Sequence, residues 1–144
     1  MIREAAREDL DQMIELYRYL HKDEVLEKDE FILKAWDKIM SDSDHHLIVW
    51  EEDGKIVSSC VCVIIPNLTR YGRPYAFIEN VVTHEDWRGR GFASQCLGYA
   101  KELAIRANCY KMMLLTGSKN PATHRFYEFA GYNSSDKTAY VQWL

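Results

Sequence analysis

The segment spanning residues 81–94 constrains the fold of this chain more than any other part of its sequence. It indicates the end of an apolar strand, a tight turn through Gly89 and Gly91, and the start of a long helix. Glycines in such a turn let the backbone approach a ligand without an obstructing Cβ, and the free N–H groups that open the helix attract an anion. The pattern therefore predicts a strand–turn–helix unit of an α/β domain, with a turn that suits a pyrophosphate.

Helix and strand patterns alternate along the rest of the chain. Apolar residues recur at three- and four-residue steps over residues 8–21, 31–39 and 91–107, which predicts three helices. A fourth, short helix is bounded by Asn120 and Pro121 at its start and by Gly131 at its end. The order β-α-α-β-β-β-α-β-α-β-β predicts an α/β domain with a mixed sheet. Its strands are predicted at residues 1–5, 47–50, 56–65, 75–83, 110–116, 132–133 and 138–144.

Length and charge narrow the class of protein. A chain of 144 residues, 47% of them hydrophobic, predicts one domain over residues 1–144 that needs neither disulfides nor a metal to fold. Its formal net charge of −4 disfavours a nucleic-acid binder, and no apolar run is long enough to span a membrane. The charged N-terminus lacks a signal-peptide pattern, and the cysteines lack the spacing of a metal site. We therefore predict a cytoplasmic protein without a metal.

Two familiar phosphate-binding motifs are excluded. A dinucleotide-binding fingerprint would place a glycine where Ser94 stands, and it would need an acid at the end of the following strand. That strand, residues 110–116, ends without an acid. The sequence Gly-Ser-Lys at residues 117–119 echoes a P-loop but lacks the upstream glycine and the Ser or Thr after the lysine. Neither motif therefore accounts for the glycine turn.

Two motifs, in order along the chain, resemble those of one known family. Residues 88–93, Arg-Gly-Arg-Gly-Phe-Ala, match its coenzyme motif (Gln/Arg)-x-x-Gly-x-(Gly/Ala). In its second signature an Asn is followed by Phe-Tyr and then by Gly-(Phe/Tyr), as in residues 120–132 here. The sequence thus resembles the GNAT superfamily of acyl-CoA-dependent N-acetyltransferases over nearly its whole length. The resemblance implies a single domain with a mixed, mostly antiparallel sheet flanked by helices.

The resemblance also implies roles for residues of both motifs. Backbone groups of the strand at residues 81–83 would pair with the pantetheine arm of acetyl-CoA, and amides of the glycine turn would hold its pyrophosphate. Asn120 would contact the pantetheine, and Tyr127 would lie beside the coenzyme sulfur and protonate the departing thiolate. The implied coenzyme-binding residues are Val81, Val82, Thr83, Arg88, Gly89, Arg90, Gly91, Phe92, Ala93, Ser94, Asn120 and Tyr127.

The base that deprotonates the acceptor amine stays open between Glu79, His84 and a water molecule. Glu79 lies in the sequence Ile-Glu-Asn-Val, which is similar to the substrate-facing strand of aminosugar N-acetyltransferases, although Asn80 replaces an Asp there. Counting with a period of two puts Glu79 and His84 on opposite faces of the strand. The candidate catalytic residues are Glu79 and Tyr127.

The activity that the resemblance implies is transfer of the acetyl group of acetyl-CoA to a primary amine by direct attack in a ternary complex. We expect a small-molecule acceptor. A protein lysine or N-terminus stays an alternative, although Leu115 stands where some protein N-terminal acetyltransferases carry a carboxylate. A second alternative is a non-catalytic module that binds acyl-CoA as a sensor. No nucleic-acid or membrane partner is expected, and a homodimer stays open.

Overall fold

A single mixed sheet forms the centre of the protein in a computed structural model that describes residues 1–144. Its strands follow the order of the chain. The first four pair antiparallel, and the fifth is parallel to the fourth. They are β1 (Ile2–Glu4), β2 (His45–Glu52), β3 (Lys55–Ile65), β4 (Tyr75–Thr83) and β5 (Met112–Leu114).

Helices cover both faces of this sheet. On one face lie α1 (Leu10–Tyr17) and α2 (Glu30–Ser41), and on the other lie α3 (Phe92–Arg106) and α4 (Pro121–Phe129). None of them has the length and apolar character that crossing a membrane requires. Short 3-10 helices lie at Arg7–Asp9, Arg70–Gly72 and Glu85–Trp87.

The alternation of side chains along the strands produces two cores. In β2, Ile48 packs against α3, whereas Leu47 and Val49 pack against α1 and α2. The stripe predicted along α3 is buried against the sheet, and Cys60, Cys62 and Cys96 are free thiols in that same core. The α3 residues in this core are Cys96, Leu97, Ala100, Leu103 and Ala104.

The predicted α/β class with a mixed, mostly antiparallel sheet is confirmed, but the last two predicted strands do not form. Residues 133–144 contain no strand, and their side chains are exposed. A strand needs a hydrogen-bonding partner, and Asn133 instead begins a turn in which its side-chain oxygen accepts bonds from the N–H groups of Ser135 and Asp136. The observed order is therefore β-α-α-β-β-β-α-β-α.

Candidate active site

The pairing of β4 with β5 ends partway along β4. They pair only where residues 76–78 lie beside β5, whereas β4 continues to Thr83. Beyond residue 78, no strand pairs with this side of β4, so its outward-facing backbone N–H and C=O groups lack strand partners. An unpaired stretch of strand next to an opening is a natural place for an extended ligand to add hydrogen bonds.

A bulge changes the register of β4 just after its pairing with β5 ends. The pairing with β3 shifts between Ser59 and Val61, and Asn80 adopts a left-handed backbone with φ of 50°. A non-glycine residue costs about 1–2 kcal/mol in that conformation, and such bulges often re-aim side chains at functional sites. Glu79 and Asn80 are both exposed here, whereas strict alternation would bury one of them. Tyr17 lies beneath the bulge, and its burial raises the pKa of the hydroxyl to about 12.

A groove of about 650 Å³ lies beside the end of β4 that has no pairing with β5. Its volume is within the range of small-molecule and cofactor sites, and apolar side chains make up most of its walls. The end of β4, the glycine turn, the start of α3, one side of α4 and the segment after α1 all contribute. The lining residues are Tyr19, Leu20, Val81, Val82, Thr83, Trp87, Arg88, Gly89, Gly91, Phe92, Ala93, Ser94, Ala122, Thr123, Phe126 and Tyr127.

The glycine turn presents a row of free backbone donors. The N–H groups of residues 89–94 have no backbone acceptor, and the first bond of α3 runs from the Gln95 N–H to the Gly91 carbonyl. Gly89 and Gly91 have φ of 74° and 81°, which glycine adopts without strain and other residues do not. These donors coincide with the positive end of the α3 dipole, so the turn is suited to bind an anion.

Two arginines and an aromatic stack hold this turn in place. Arg88 Nε donates to the Thr83 carbonyl at 3.2 Å, and the Arg90 guanidinium lies 4.5 Å from the ring centre of Trp87. Phe92, the first residue of α3, stacks on Trp50 of β2 with ring centres 4.9 Å apart. The donors are therefore fixed by contacts to β2 and β4, and the two guanidinium groups add positive charge beside them.

Tyr127 and Asn120 both belong to α4 or its cap, yet they take different positions. Tyr127 lines the groove half-buried, and burial raises the pKa of its hydroxyl, so it stays protonated at neutral pH. Asn120 caps the helix, since its side-chain oxygen accepts a bond from the Ala122 N–H at 3.0 Å. The Asn120 side chain is exposed and is not part of the groove wall.

His84 forms a hydrogen bond with Tyr19, a residue that no sequence motif marks. Its Nδ1 accepts a bond from the Asp86 N–H at 3.2 Å, so the neutral ring carries its proton on Nε2. That proton is donated to the Tyr19 hydroxyl oxygen at 2.9 Å, and the two rings lie 4.3 Å apart. The contact fixes Tyr19 in the groove wall and leaves its own hydroxyl proton free to point elsewhere.

Comparison with known proteins identifies the family. The sequence profile of the acetyltransferase (GNAT) family matches residues 8–132. This chain belongs to the GNAT family. A solved structure of a candidate acetyltransferase from Agrobacterium tumefaciens strain C58 is 40% identical, with 99% of each chain covered and a TM-score of 0.92.

Two curated GNAT relatives are longer than this chain. Glucosamine 6-phosphate N-acetyltransferase of Trypanosoma brucei brucei is 32% identical over 58% of this chain. An uncharacterised N-acetyltransferase of Methanocaldococcus jannaschii is 27% identical over 99% of it. The matched regions span 55% and 64% of those two proteins.

Most residues predicted from the GNAT motifs line the groove, and three do not. Arg90 turns to Trp87, Asn120 caps α4, and Glu79 lies on the exposed stretch of β4 before the groove wall begins. Tyr19 and Leu20 also line the groove, but no sequence motif marks them, because they follow α1 and lie far in sequence from both GNAT motifs. No group of three or more His, Cys, Asp or Glu side chains is arranged to hold a metal ion.

Proposed function

We propose that this protein is an N-acetyltransferase that transfers the acetyl group of acetyl-CoA to a primary amine of a small molecule. The observation that carries the proposal is the row of free N–H groups at residues 89–94, which opens onto a groove beside the unpaired side of β4. Membership of the GNAT family supports the same chemistry.

Acetyl-CoA has the chemical features that this groove suits. Its pyrophosphate is an anion for the free N–H groups and the α3 dipole. The amide groups of its pantetheine arm would bond the unpaired backbone of β4 between Val81 and Thr83, as an added strand would. This direction along the groove would bring the thioester to the region of Tyr127. Acetyl-CoA is a substrate in this proposal, and none of these contacts requires a metal.

The reaction proceeds by direct attack in a ternary complex of the chain, acetyl-CoA and the amine. The amine nitrogen bonds to the thioester carbon, the tetrahedral intermediate collapses, and the C–S bond breaks. The proton lost by the nitrogen balances the one gained by the thiolate. Tyr127 suits the role of donor to sulfur, because burial keeps its hydroxyl protonated and no group of the chain occupies that hydroxyl. The resulting tyrosinate is a much stronger base than the nitrogen of the amide product, so it would take up the proton that this nitrogen releases.

The reaction also needs a base that first deprotonates the amine. A primary ammonium such as that of lysine has a pKa of ~10.4, so almost none is free to attack at neutral pH. His84 is less suited to the role, because Nδ1 already accepts a bond and Nε2 carries the proton. Glu79 is exposed at the point where β4 leaves β5, and its charge contributes to raising the pKa of Tyr127. We therefore assign the base to Glu79, acting directly or through a water.

A small cationic amine is the acceptor that the chain suits best. Glu79 supplies a carboxylate near the proposed thioester position, and the whole chain carries a formal charge of −4. The relative from Trypanosoma brucei brucei acts on glucosamine 6-phosphate, an amino sugar, which supports an acceptor of that size. Tyr19 and Leu20 line the groove and would contact such an acceptor.

A turnover assay with a panel of amines tests this proposal. The chain is incubated with acetyl-CoA and, separately, an amino sugar, its phosphate, a polyamine, an amino acid and a lysine peptide. We expect amine-dependent release of free thiol and an acetylated small amine detected by mass spectrometry. Binding of acetyl-CoA without release of thiol for any amine would instead indicate a non-catalytic module, and preference for the peptide would make a protein the acceptor.

A further inference from the structure

Asn80 lies at the point where two parts of the proposed active site meet. In the sequence it stands between Glu79, the proposed base, and residues 81–83, whose unpaired backbone suits the pantetheine arm. Between two paired positions β3 contributes one residue here, whereas β4 contributes two, Asn80 and Val81. Because side chains alternate along a strand, the conformation of this extra residue decides how residues 81–83 are oriented relative to Glu79.

The backbone conformation of Asn80 is one that a strand does not favour. Asn80 is the only residue within a strand of this protein whose φ is positive. Steric contact with the Cβ disfavours a positive φ in every residue except glycine, although asparagine tolerates it better than most. Such a conformation persists where surrounding groups hold it in place. The bulge therefore needs a contact that holds Asn80.

Tyr17, the last residue of α1, makes that contact. Helix α1 packs against β3 and β4, and the Tyr17 ring packs against the core that these elements share. The Asn80 side chain hydrogen-bonds the Tyr17 hydroxyl, which also lies next to Ser59, a fully buried residue of β3. Burial keeps this hydroxyl protonated at neutral pH. A neutral phenol fixed by the packing of α1 is therefore a permanent partner for the Asn80 side chain.

We propose that Tyr17 is a positioning residue for acetyl transfer, because its hydroxyl holds Asn80 in the left-handed conformation and so fixes Glu79 relative to residues 81–83. Tyr17 is not part of the groove wall, so it acts through Asn80 and not on a ligand. Without its hydroxyl, residue 80 would also adopt ordinary strand conformations, and the base would lose its alignment with the thioester. The catalytic part of this inference rests on the proposed function, whereas the anchoring of Asn80 does not.

Steady-state kinetics of Tyr17→Phe test the catalytic part, since this variant loses the hydroxyl and keeps the ring. With the best amine of the panel, kcat should fall about 10–100-fold, because a small misalignment of the reacting groups costs rate steeply. KM for acetyl-CoA should change little, since the free N–H groups of residues 89–94 are untouched. Tyr99→Phe, at a half-buried tyrosine of α3 outside the groove wall, is the matched control and should keep the wild-type rate. A kcat of Tyr17→Phe equal to that of the wild type, while chemistry limits the rate, would overturn the proposal.

Rescue by glycine separates positioning from a general loss of stability. Glycine adopts a positive φ without strain, so adding Asn80→Gly to Tyr17→Phe should restore most of the lost kcat. Asn108→Gly is the matched control, because Asn108 has φ of 59° but lies between α3 and β5, and it should restore nothing. If neither glycine restores kcat, or if both do, Tyr17 does not act through Asn80 and the proposal is wrong.

Urea unfolding tests the anchoring of Asn80 without any substrate. Tyr17→Phe should lower the unfolding midpoint of the wild-type chain, and it should lower the midpoint less when Asn80→Gly is already present, because the two residues interact. Equal shifts in the two backgrounds would overturn the proposal, whether or not the chain acetylates any amine. Unequal shifts in a chain that acetylates none of the amines would support the anchor and contradict the proposed function alone.

Discussion

Tyr127 combines a place in the groove wall with a hydroxyl that burial keeps protonated. We predict that Tyr127→Phe lowers kcat by about 10²–10⁴-fold, the usual contribution of a general acid. The ring remains, so KM for acetyl-CoA should change little, the pattern of an interaction made in the transition state. Steady-state kinetics with the best amine of the panel measure both constants.

Tyr132→Phe is the matched control for that experiment. The Tyr132 ring lies edge-on to Tyr127 with centres 6.3 Å apart, and its buried hydroxyl has no hydrogen-bond partner. Removing an unsatisfied hydroxyl should cost neither activity nor stability. If Tyr127→Phe turns over as fast as the wild type while chemistry limits the rate, Tyr127 serves only packing and solvent protonates the thiolate.

The pH dependence of the rate tests the proposed role of Glu79 as the base. We predict that Glu79→Gln slows the reaction most at low pH, where fewer acceptor amines are already deprotonated, and that the variant approaches wild type as pH nears the pKa of the acceptor amine, which is ~10.4 for an amine like that of lysine. Glu85→Gln, an exposed acid outside the groove wall, should leave the profile unchanged. Wild-type and Glu79→Gln rate profiles that run parallel over the whole pH range would remove Glu79 from the mechanism.

At the scale of elements, the start of α3 carries the proposed anion site. We predict that Gly91→Val weakens acetyl-CoA binding at least tenfold, about 1.4 kcal/mol, because the branched side chain would occupy the space in front of the free N–H groups. A Cβ at Gly91 meets no protein atom within 4 Å, so the fold should persist. Calorimetric titration measures the affinity.

Gly54→Val separates loss of the ligand from backbone strain. Gly54 has φ of 73°, close to the 81° of Gly91, and lies in the turn between β2 and β3. Both variants should lose stability to a similar degree, about 1–2 kcal/mol, because both place a side chain on a left-handed backbone. Only Gly91→Val should lose affinity, and equal affinity in the two variants would contradict the anion site.

An ion-pair cluster joins β1, β2 and the 3-10 helix before α1. Arg3 donates to both carboxylate oxygens of Asp9, at 2.6 and 3.0 Å, and also to Glu51. The Arg3 hydrogen bonds hold the pKa of Asp9 below its ordinary value. A lowered folded pKa gives stability that is complete above the unfolded Asp pKa of ~3.9 and that is lost as pH falls through the folded value.

The matching variant is Asp9→Asn, which keeps the shape of the side chain and removes its charge. We expect a loss of about 1–3 kcal/mol in the free energy of unfolding at pH 7, since Arg3 keeps only Glu51. The gap between wild type and variant should narrow below pH 4. Urea unfolding at several pH values measures it, and a gap independent of pH would show that packing rather than charge stabilises this corner.

The elements that sequence could predict are those whose signals are local. The stripe along α3 and the two-glycine turn follow from spacing and from backbone conformation, so they appear where expected. The sequence predicts Asn80 only as part of the strand at residues 75–83, because its left-handed backbone depends on the shifted pairing of β4 with β3. Tyr19 reaches the groove through the packing of α1 and its contact with His84, which sequence spacing does not encode.

At the scale of the whole molecule, the two predicted C-terminal strands show where a local sequence pattern is not enough to predict a strand. Residues 138–144 are rich in apolar and aromatic residues and are predicted as a strand, but a strand needs a neighbour, and these residues make no backbone hydrogen bond with any strand. The groove likewise depends on the fold, because residues 88–94 come together with the end of β4 and one side of α4 only in the folded protein. The glycine turn could be predicted from the sequence, whereas the walls of the groove required the fold.

The NMR signals of the backbone amides of residues 89–94 test the proposed pyrophosphate site most directly. Amide NMR spectra of the full chain are recorded with increasing CoA and, separately, with pantetheine, which lacks the pyrophosphate. CoA should move the resonances of residues 89–94 together with those of residues 81–83, and pantetheine should leave residues 89–94 nearly still. Binding of CoA that shifts other regions while these six amides stay unchanged would contradict the assignment of the turn and, with it, the proposed function.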